Sequence, residues 1–454
     1  MNKRFAPQAK LISGFAILIL LGACILCLPG MTPPGHGISF VDALFTATSA
    51  VCVTGLVVRD TGRDFTLAGQ WVILLLIQLG GLGIMTFSAV VLLMLGKRTS
   101  MAQEDLLQDI FVQSPMRRLN QLILYVVGST LCIEAVGCAL YFSAFVADHP
   151  PGHALYLSIF HSVSAFCNAG FSPFSDSLVG YRANMVVNLT TIGLIILGGI
   201  GFLVLYEVWN RYVLHLYRGQ ARPKILSLHT RLTLLTTAIL IVVGMVFFLA
   251  IEWDDSLVRD SLPVKLLVSL FQSVTTRTAG FNTVDMEHLT NPTLFIMIIL
   301  MFIGASPGST GGGVKTTTAA VFFSLIRTNL TGGHGVHVFN RTIPAHTMAK
   351  AMAVITASVL VVTAGGLTLM ITQLGDIAHT ESRGLFLEYM FEAVSAFGTV
   401  GLSMGATGKM DAVGKVIIIG LMFTGRLGPL TLASALKPRK RAKYSYSQEN
   451  VMIG

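Results

Sequence analysis

The sequence predicts an all-α integral membrane protein built from one module used four times. Three observations carry that expectation. Of 454 residues, 53% are hydrophobic and only 12% charged, about half the charged share of a soluble globular chain. Apolar runs long enough for membrane-crossing helices, which need roughly 20 residues each, recur from Leu11 to Leu436. Between them lie shorter apolar segments that each end in a glycine followed by a large apolar residue.

The long runs read as eight spans: Leu11–Leu28, Gln70–Leu95, Leu119–Val146, Asn184–Trp209, His229–Ile251, Thr293–Ile326, Met348–Gln373 and Ala412–Leu436. Within each consecutive pair sits one short segment, which reads as a re-entrant helix because it cannot cross a bilayer. The four segments align as Phe45 to Gly55, Phe160 to Gly170, Phe271 to Gly280 and Phe391 to Gly401. Their glycines are 115, 110 and 121 residues apart, and a near-constant period marks a repeat. The modules then span 1–98, 99–224, 225–340 and 341–436, with pore loops at 39–58, 154–173, 264–283 and 384–403 and a basic tail at 437–454. Two spans per module return the chain to the same side each time, so the four copies are parallel.

Charge sets the orientation. The termini and the loops joining modules hold 20 of the 31 Lys and Arg, among them Lys97, Arg98, Arg117, Arg118, Arg218, Arg222, Lys224 and Lys437. By the positive-inside rule these segments, including both termini, are cytoplasmic. Most carboxylates fall on the outer side, where the re-entrant loops open and where their field attracts cations. The net charge of +9 does not indicate nucleic acid, because no soluble segment is long enough to display a basic face. Cys24, Cys27, Cys52, Cys132, Cys138 and Cys167 all lie in apolar stretches, outside any disulfide framework. Cys24 and Cys27 supply only half of a zinc motif and read as packing residues.

Backbone at membrane depth that is neither helix nor closed sheet is tolerated where it is buried in protein or lines a water-filled path. Four such segments around one axis make a ring, and a ring of carbonyls can replace the water shell of a monovalent cation. Glycine permits the positive φ that turns carbonyls toward the axis. The candidate filter residues are Val53, Thr54 and Gly55; Asn168, Ala169 and Gly170; Thr278, Ala279 and Gly280; and Thr399, Val400 and Gly401. The last triplet matches the start of the TVGYG filter. The result is eight spans and four pore helices around one pseudo-fourfold pore.

Four linked modules of helix, pore helix, filter glycine and helix resemble the Trk, Ktr and HKT superfamily of potassium transporters over essentially the full chain. With about ten residues before the first span, the resemblance is closest to the Ktr membrane subunits, since Trk members carry additional N-terminal spans. Glycine at all four filter positions implies potassium uptake across a bacterial plasma membrane. The resemblance further implies a homodimer, a cytosolic ring of nucleotide-binding regulatory subunits gated by ATP and ADP, and sodium as an activating ion. No cofactor is expected in this chain. The basic tail and cytoplasmic loops are where such a ring would dock, though a basic tail is also an ordinary membrane anchor.

The second span of each module carries a glycine echo: Gly80, Gly81 and Gly83, then Gly198, Gly199 and Gly201, then Gly304 onward, then Gly425 and Gly428. Small residues there permit close helix approach or leave a cavity. The third copy cannot hold a membrane helix, because Gly304, Ser306, Pro307, Gly308, Ser309, Thr310, Gly311, Gly312 and Gly313 follow one another closely. It reads as an unwound loop at 304–315, and the resemblance implies an intramembrane gate there. The same run imitates a nucleophile elbow and a P-loop, but it interrupts an apolar helix and Val314 stands where the P-loop needs glycine. Intramembrane charges are functional hypotheses. Arg426 resembles the superfamily's pore arginine and is expected to act as a barrier that also holds the loop. Glu134 is expected to make a buried hydrogen bond to another helix, and Glu392 and His161 to make structural contacts. A sodium-coupled carrier with alternating access is the competing reading, and the parallel repeats contrast with the inverted ones usual in that class.

Overall fold

The computed structural model describes residues 7–83, 119–213, 226–333, 335–375, 377–378 and 380–436. The tail at 437–454, the second half of the Gln70–Leu95 run and most of the basic residues used for orientation lie outside the described residues.

The chain runs as α1 (Pro7–Leu26), α2 (Phe40–Val51), α3 (Leu67–Leu82), α4 (Leu119–Phe145), α5 (Pro151–Phe166), α6 (Met185–Ile200), α7 (Phe202–Val208), α8 (Leu228–Ile251), α9 (Leu262–Thr275), α10 (Asn291–Phe302), α11 (Thr316–Leu330), α12 (Ala345–Leu374), α13 (Leu385–Gly398), α14 (Ala412–Leu427) and α15 (Pro429–Leu436). Local chemistry starts these helices. Ser39, Thr66, Asn184 and Asp411 accept hydrogen bonds from the backbone N–H groups of Asp42, Gly69, Val187 and Gly414, satisfying donors that a helix start leaves orphaned. Proline in the first turn opens α5, α9 and α10, where its missing N–H is harmless.

The short helices α2, α5, α9 and α13 are the innermost elements. Phe45, Phe160, Phe271 and Phe391 are wholly buried in them, and α1, α4 and α8 pack lengthwise along α2, α5 and α9. The longer helices expose leucine, valine and phenylalanine outward, the pattern of a helix that is apolar all round. Among the described residues, 123–145, Leu228–Ile251 and Ala345–Leu374 are each long and apolar enough to cross a membrane, and Met185–Ile200 with Phe202–Tyr212 forms a pair bent by 100°.

Three of the expected spans are interrupted by glycine: α6 and α14 stop at Gly201 and Gly428 within Asn184–Trp209 and Ala412–Leu436, and α3 stops at Gly83 within Gln70–Leu95, the rest of which lies outside the described residues. Those glycines take nearly one conformation, with φ of 77°, 99° and 83° and ψ of 139°, 139° and 138°, a region that a Cβ forbids. Three residues before each break stands the glycine that explains the echo. A Cβ on Gly80, Gly198 or Gly425 would run into the backbone carbonyl oxygen of Val51, Phe166 or Phe397, at the ends of α2, α5 and α13. Close backbone approach, rather than a cavity, is what these three glycines provide. Cys24 and Cys27 are free and exposed, so they face outward instead of packing inside. A two-stranded hairpin, β1 (His337–Val338) and β2 (Arg341–Thr342), links α11 to α12.

Candidate functional site

Each innermost helix ends in the same turn. Val53, Asn168, Thr278 and Thr399 have φ of 53°, 59°, 68° and 50°, and two residues later Gly55, Gly170, Gly280 and Gly401 have φ of 91°, 70°, 78° and 92°. Left-handed backbone at a valine or threonine is uncommon and signals local strain held by its surroundings. The holding group is a hydroxyl four residues after each phenylalanine. Ser49 and Ser395 accept from the N–H of Gly55 and Gly401, both at 3.1 Å. Ser164 and Thr275 donate to the carbonyls of Phe171 and Phe281 at 2.7 and 2.6 Å. The third segment, one residue shorter, thus reaches the same turn.

The four turns meet in a closed cycle. A Cβ on Gly55 would meet the carbonyl oxygen of Ala169; on Gly170, that of Ala279; on Gly280, that of Val400; and on Gly401, that of Thr54. Each contact lies inside the distance a real Cβ keeps, so only glycine allows the four segments to approach so closely. Thr54, Ala169, Ala279 and Val400 are fully buried. The site therefore consists of backbone carbonyls, with no side-chain charge among the twelve residues.

The glycine-rich loop lies against these turns. Its ends are tied to each other by a parallel bridge between Ile303 and Val314 and by the Gly304 N–H to the Val314 carbonyl at 2.9 Å. The Gly312 N–H donates to the Thr399 hydroxyl at 3.0 Å, and a Cβ on Gly311 would strike the Thr278 hydroxyl. On the other side, Ser306 and Thr310 donate backbone N–H to the carbonyls of Gly199 and Gly198 at 3.0 and 3.2 Å, and Phe202 N–H donates to the Gly308 carbonyl at 3.0 Å. The loop thus bridges the ends of α6, α9 and α13. Ser306, whose surroundings imitate a nucleophile elbow, pairs its hydroxyl with that of Thr316 at 2.9 Å.

Arg426 joins the loop to a further element. One guanidinium nitrogen donates to the Thr310 carbonyl and another to the Gly80 carbonyl at the end of α3. Lys315 donates from Nζ to the Gly311 carbonyl at 2.7 Å. Two cations therefore hold loop carbonyls directly beside the turns.

The TrkH family, described as "Cation transport protein", matches residues 24–442. The chain belongs to that family. Among curated TrkH-family relatives, it is 40% identical to the "Ktr system potassium uptake protein B" of Vibrio alginolyticus, over 99% of this chain and 95% of the relative. It is 38% identical to the protein of the same name from Bacillus subtilis, over 99% and 97%. The solved structure of the potassium transporter TrkH from Vibrio parahaemolyticus shares the fold, with a TM-score of 0.71 at 20% identity over 96% of this chain and 86% of that one. The chain is thus a membrane transport protein rather than an enzyme.

Several supporting residues of this TrkH-family chain go unassigned on sequence alone. The hydroxyl four residues after each phenylalanine is visible in all four segments, but its role depends on the turn that follows. Lys315 stands out in sequence only as part of a failed P-loop. Behind the turns, Glu392 accepts from the Ser403 hydroxyl at 2.6 Å, from the Met404 N–H at 3.0 Å and from the Thr407 hydroxyl. His161 lies 3.0 Å from the Ser172 hydroxyl. Both side chains tie an innermost helix to the segment that follows its glycine. Replacing Glu392 by Ala should leave three polar groups unpaired and lower the unfolding midpoint of the purified protein by several degrees, since each such loss costs about 1–3 kcal/mol; Glu392→Gln, which keeps acceptors, should lose less.

Proposed function

We propose that the chain takes up potassium across the bacterial inner membrane through a filter made by the four glycine turns. The observation that carries this reading is the cyclic contact of Gly55, Gly170, Gly280 and Gly401 with the carbonyls of Ala169, Ala279, Val400 and Thr54. Neutral carbonyls converging at membrane depth suit a dehydrated monovalent cation. The names of the relatives, which specify potassium uptake, support the choice of ion. In this reading the modules 1–98, 99–224, 225–340 and 341–436 are parallel repeats around one pore, and both termini are cytoplasmic.

The loop at 304–315 is the gate in this reading, with Gly304, Ser306, Gly308, Ser309, Thr310, Gly311, Gly312 and Gly313 as its backbone and Arg426 as its latch. A homodimer, a cytosolic nucleotide-binding ring carrying ATP or ADP, and activation by sodium complete the proposal; the "Ktr system" names support a partner subunit.

The test is substitution of one filter glycine. Gly55→Ser places a side chain against Ala169 and changes the φ preference of one quarter of the ring. Potassium uptake measured against competing sodium should show preference falling by about tenfold, equivalent to roughly 1.4 kcal/mol. An unchanged preference in a normally folded protein removes Gly55 from the filter.

A further inference from the structure

The hairpin between α11 and α12 presents a strained phenylalanine at its tip. Val338 pairs with Arg341, so Phe339 and Asn340 form a two-residue turn, and both have positive φ, 51° and 61°. Such turns favour asparagine followed by glycine, and a bulky side chain at positive φ is an outlier that its surroundings must hold. The hold comes from the hairpin's base, where Val336 and Ile343 are buried in a small apolar cluster with Leu232 of α8, Val321 of α11 and Ala351 of α12. Phe339 lies outside that cluster and is 41% exposed, so packing does not account for a phenylalanine there.

The ring sits where a lipid-facing surface ends. On α8, Leu235, Ile239, Val242 and Val246 are exposed at spacings that place them on one face, and Arg231 stands on that face one turn before Leu235. The Arg231 guanidinium carbon is 5.7 Å from the Phe339 ring centroid, close enough for a cation–π contact. Neighbouring α11 carries a second outward stripe, Phe323, Ile326 and Leu330. Arg341 closes the same turn and is exposed. Among the described residues no carboxylate pairs with Arg231 or Arg341, and the sequence holds no Asp or Glu between Glu287 and Asp376.

We infer that Phe339, Arg231 and Arg341 form a binding site for the headgroup of an anionic phospholipid. A guanidinium presents a planar fork of donors that matches phosphate, and basic residues at the end of a membrane helix attract anionic lipid. Phe339 supplies the apolar body that lodges against the first methylenes of the acyl chains. The stripes on α8 and α11 bring those chains up to the hairpin, which favours a lipid over a soluble acidic partner. Which leaflet supplies the lipid rests on the orientation proposed above; the binding does not.

The experiment is thermal unfolding of the purified full chain in neutral detergent, titrated with phosphatidylglycerol, with phosphatidylcholine of the same acyl chains, or with soluble glycerol 3-phosphate. The wild type should gain several degrees in a saturable manner with phosphatidylglycerol alone. Arg231→Gln combined with Arg341→Gln should weaken the apparent affinity for that lipid by roughly tenfold or more. Phe339→Gly, which relieves the strained turn, should weaken it several-fold while leaving the lipid-free midpoint unchanged or higher. A phosphatidylglycerol response retained in full in either variant overturns the site, as does an equal response to phosphatidylcholine. An equal response to glycerol 3-phosphate overturns the lipid and reduces the site to one for free phosphate. A wild type indifferent to all three overturns it also and leaves the patch to an acidic protein surface. A lipid-free midpoint that falls in Phe339→Gly makes the phenylalanine structural and overturns its part in the site. Potassium flux is not measured, so failure here leaves the filter reading standing.

Discussion

Arg426→Gln is expected to raise maximal potassium uptake by roughly tenfold while leaving selectivity over sodium nearly intact. The guanidinium holds the Thr310 carbonyl of the loop and the Gly80 carbonyl of α3, so its loss frees the loop on one side. In the proposed reading it also carries a fixed charge next to the ion's path. Two unit charges roughly 8 Å apart repel by about 2 kcal/mol at an effective dielectric of about 20, and about 1.4 kcal/mol is a tenfold change in rate. The carbonyls of the four glycine turns, the proposed filter, are untouched, so the ratio of potassium to sodium should hold. Uptake rates at saturating potassium, with sodium competition on the same preparations, separate the two effects. A folded variant that loses selectivity, or whose rate is unchanged, shows that Arg426 is not the barrier.

Shortening the loop within Gly308 to Gly313 should have the larger effect on regulation. The loop lies between the ends of α6, α9 and α13 and touches Thr399 and Thr278 of the turns. As an obstruction, its removal should raise flux by more than tenfold and reduce dependence on a cytosolic partner. The deletion also removes the acceptors of Arg426 and Lys315 at Thr310 and Gly311. Arg426 keeps the Gly80 carbonyl, but Lys315 loses the acceptor that holds it, and an unpaired charge at membrane depth costs about 3 kcal/mol, so a companion Lys315→Met change should restore stability to the shortened protein. Flux that falls in a normally folded deletion would make the loop part of the conducting path.

The parts of this molecule that are legible in sequence are those that repeat. Phenylalanine and glycine at a near-constant period expose four equivalent segments, and a run as rich in glycine as 304–313 excludes a helix on composition alone. What stays hidden depends on contacts between distant residues. A glycine inside an apolar helix is tolerated at about 1 kcal/mol, so Gly83, Gly201 and Gly428 give no sign in sequence that α3, α6 and α14 end there. Their meaning comes from a conformation that only the fold imposes. Arg426 is conspicuous as a charge, yet Gly80 as its second partner lies 346 residues away. Lys315 is visible but unassigned, because an isolated lysine beside a glycine run does not announce which carbonyl it meets.

The central claim is that the carbonyl ring conducts potassium in preference to sodium without coupling the two. Purified protein in proteoliposomes, with opposed potassium and sodium gradients, allows the voltage of zero net current to be read directly. The account predicts reversal close to the potassium equilibrium potential and shifts in it of about 59 mV for each tenfold change in the potassium ratio, the value for one charge per ion. A reversal potential that moves with the sodium gradient at fixed potassium would contradict it and establish a sodium-coupled carrier.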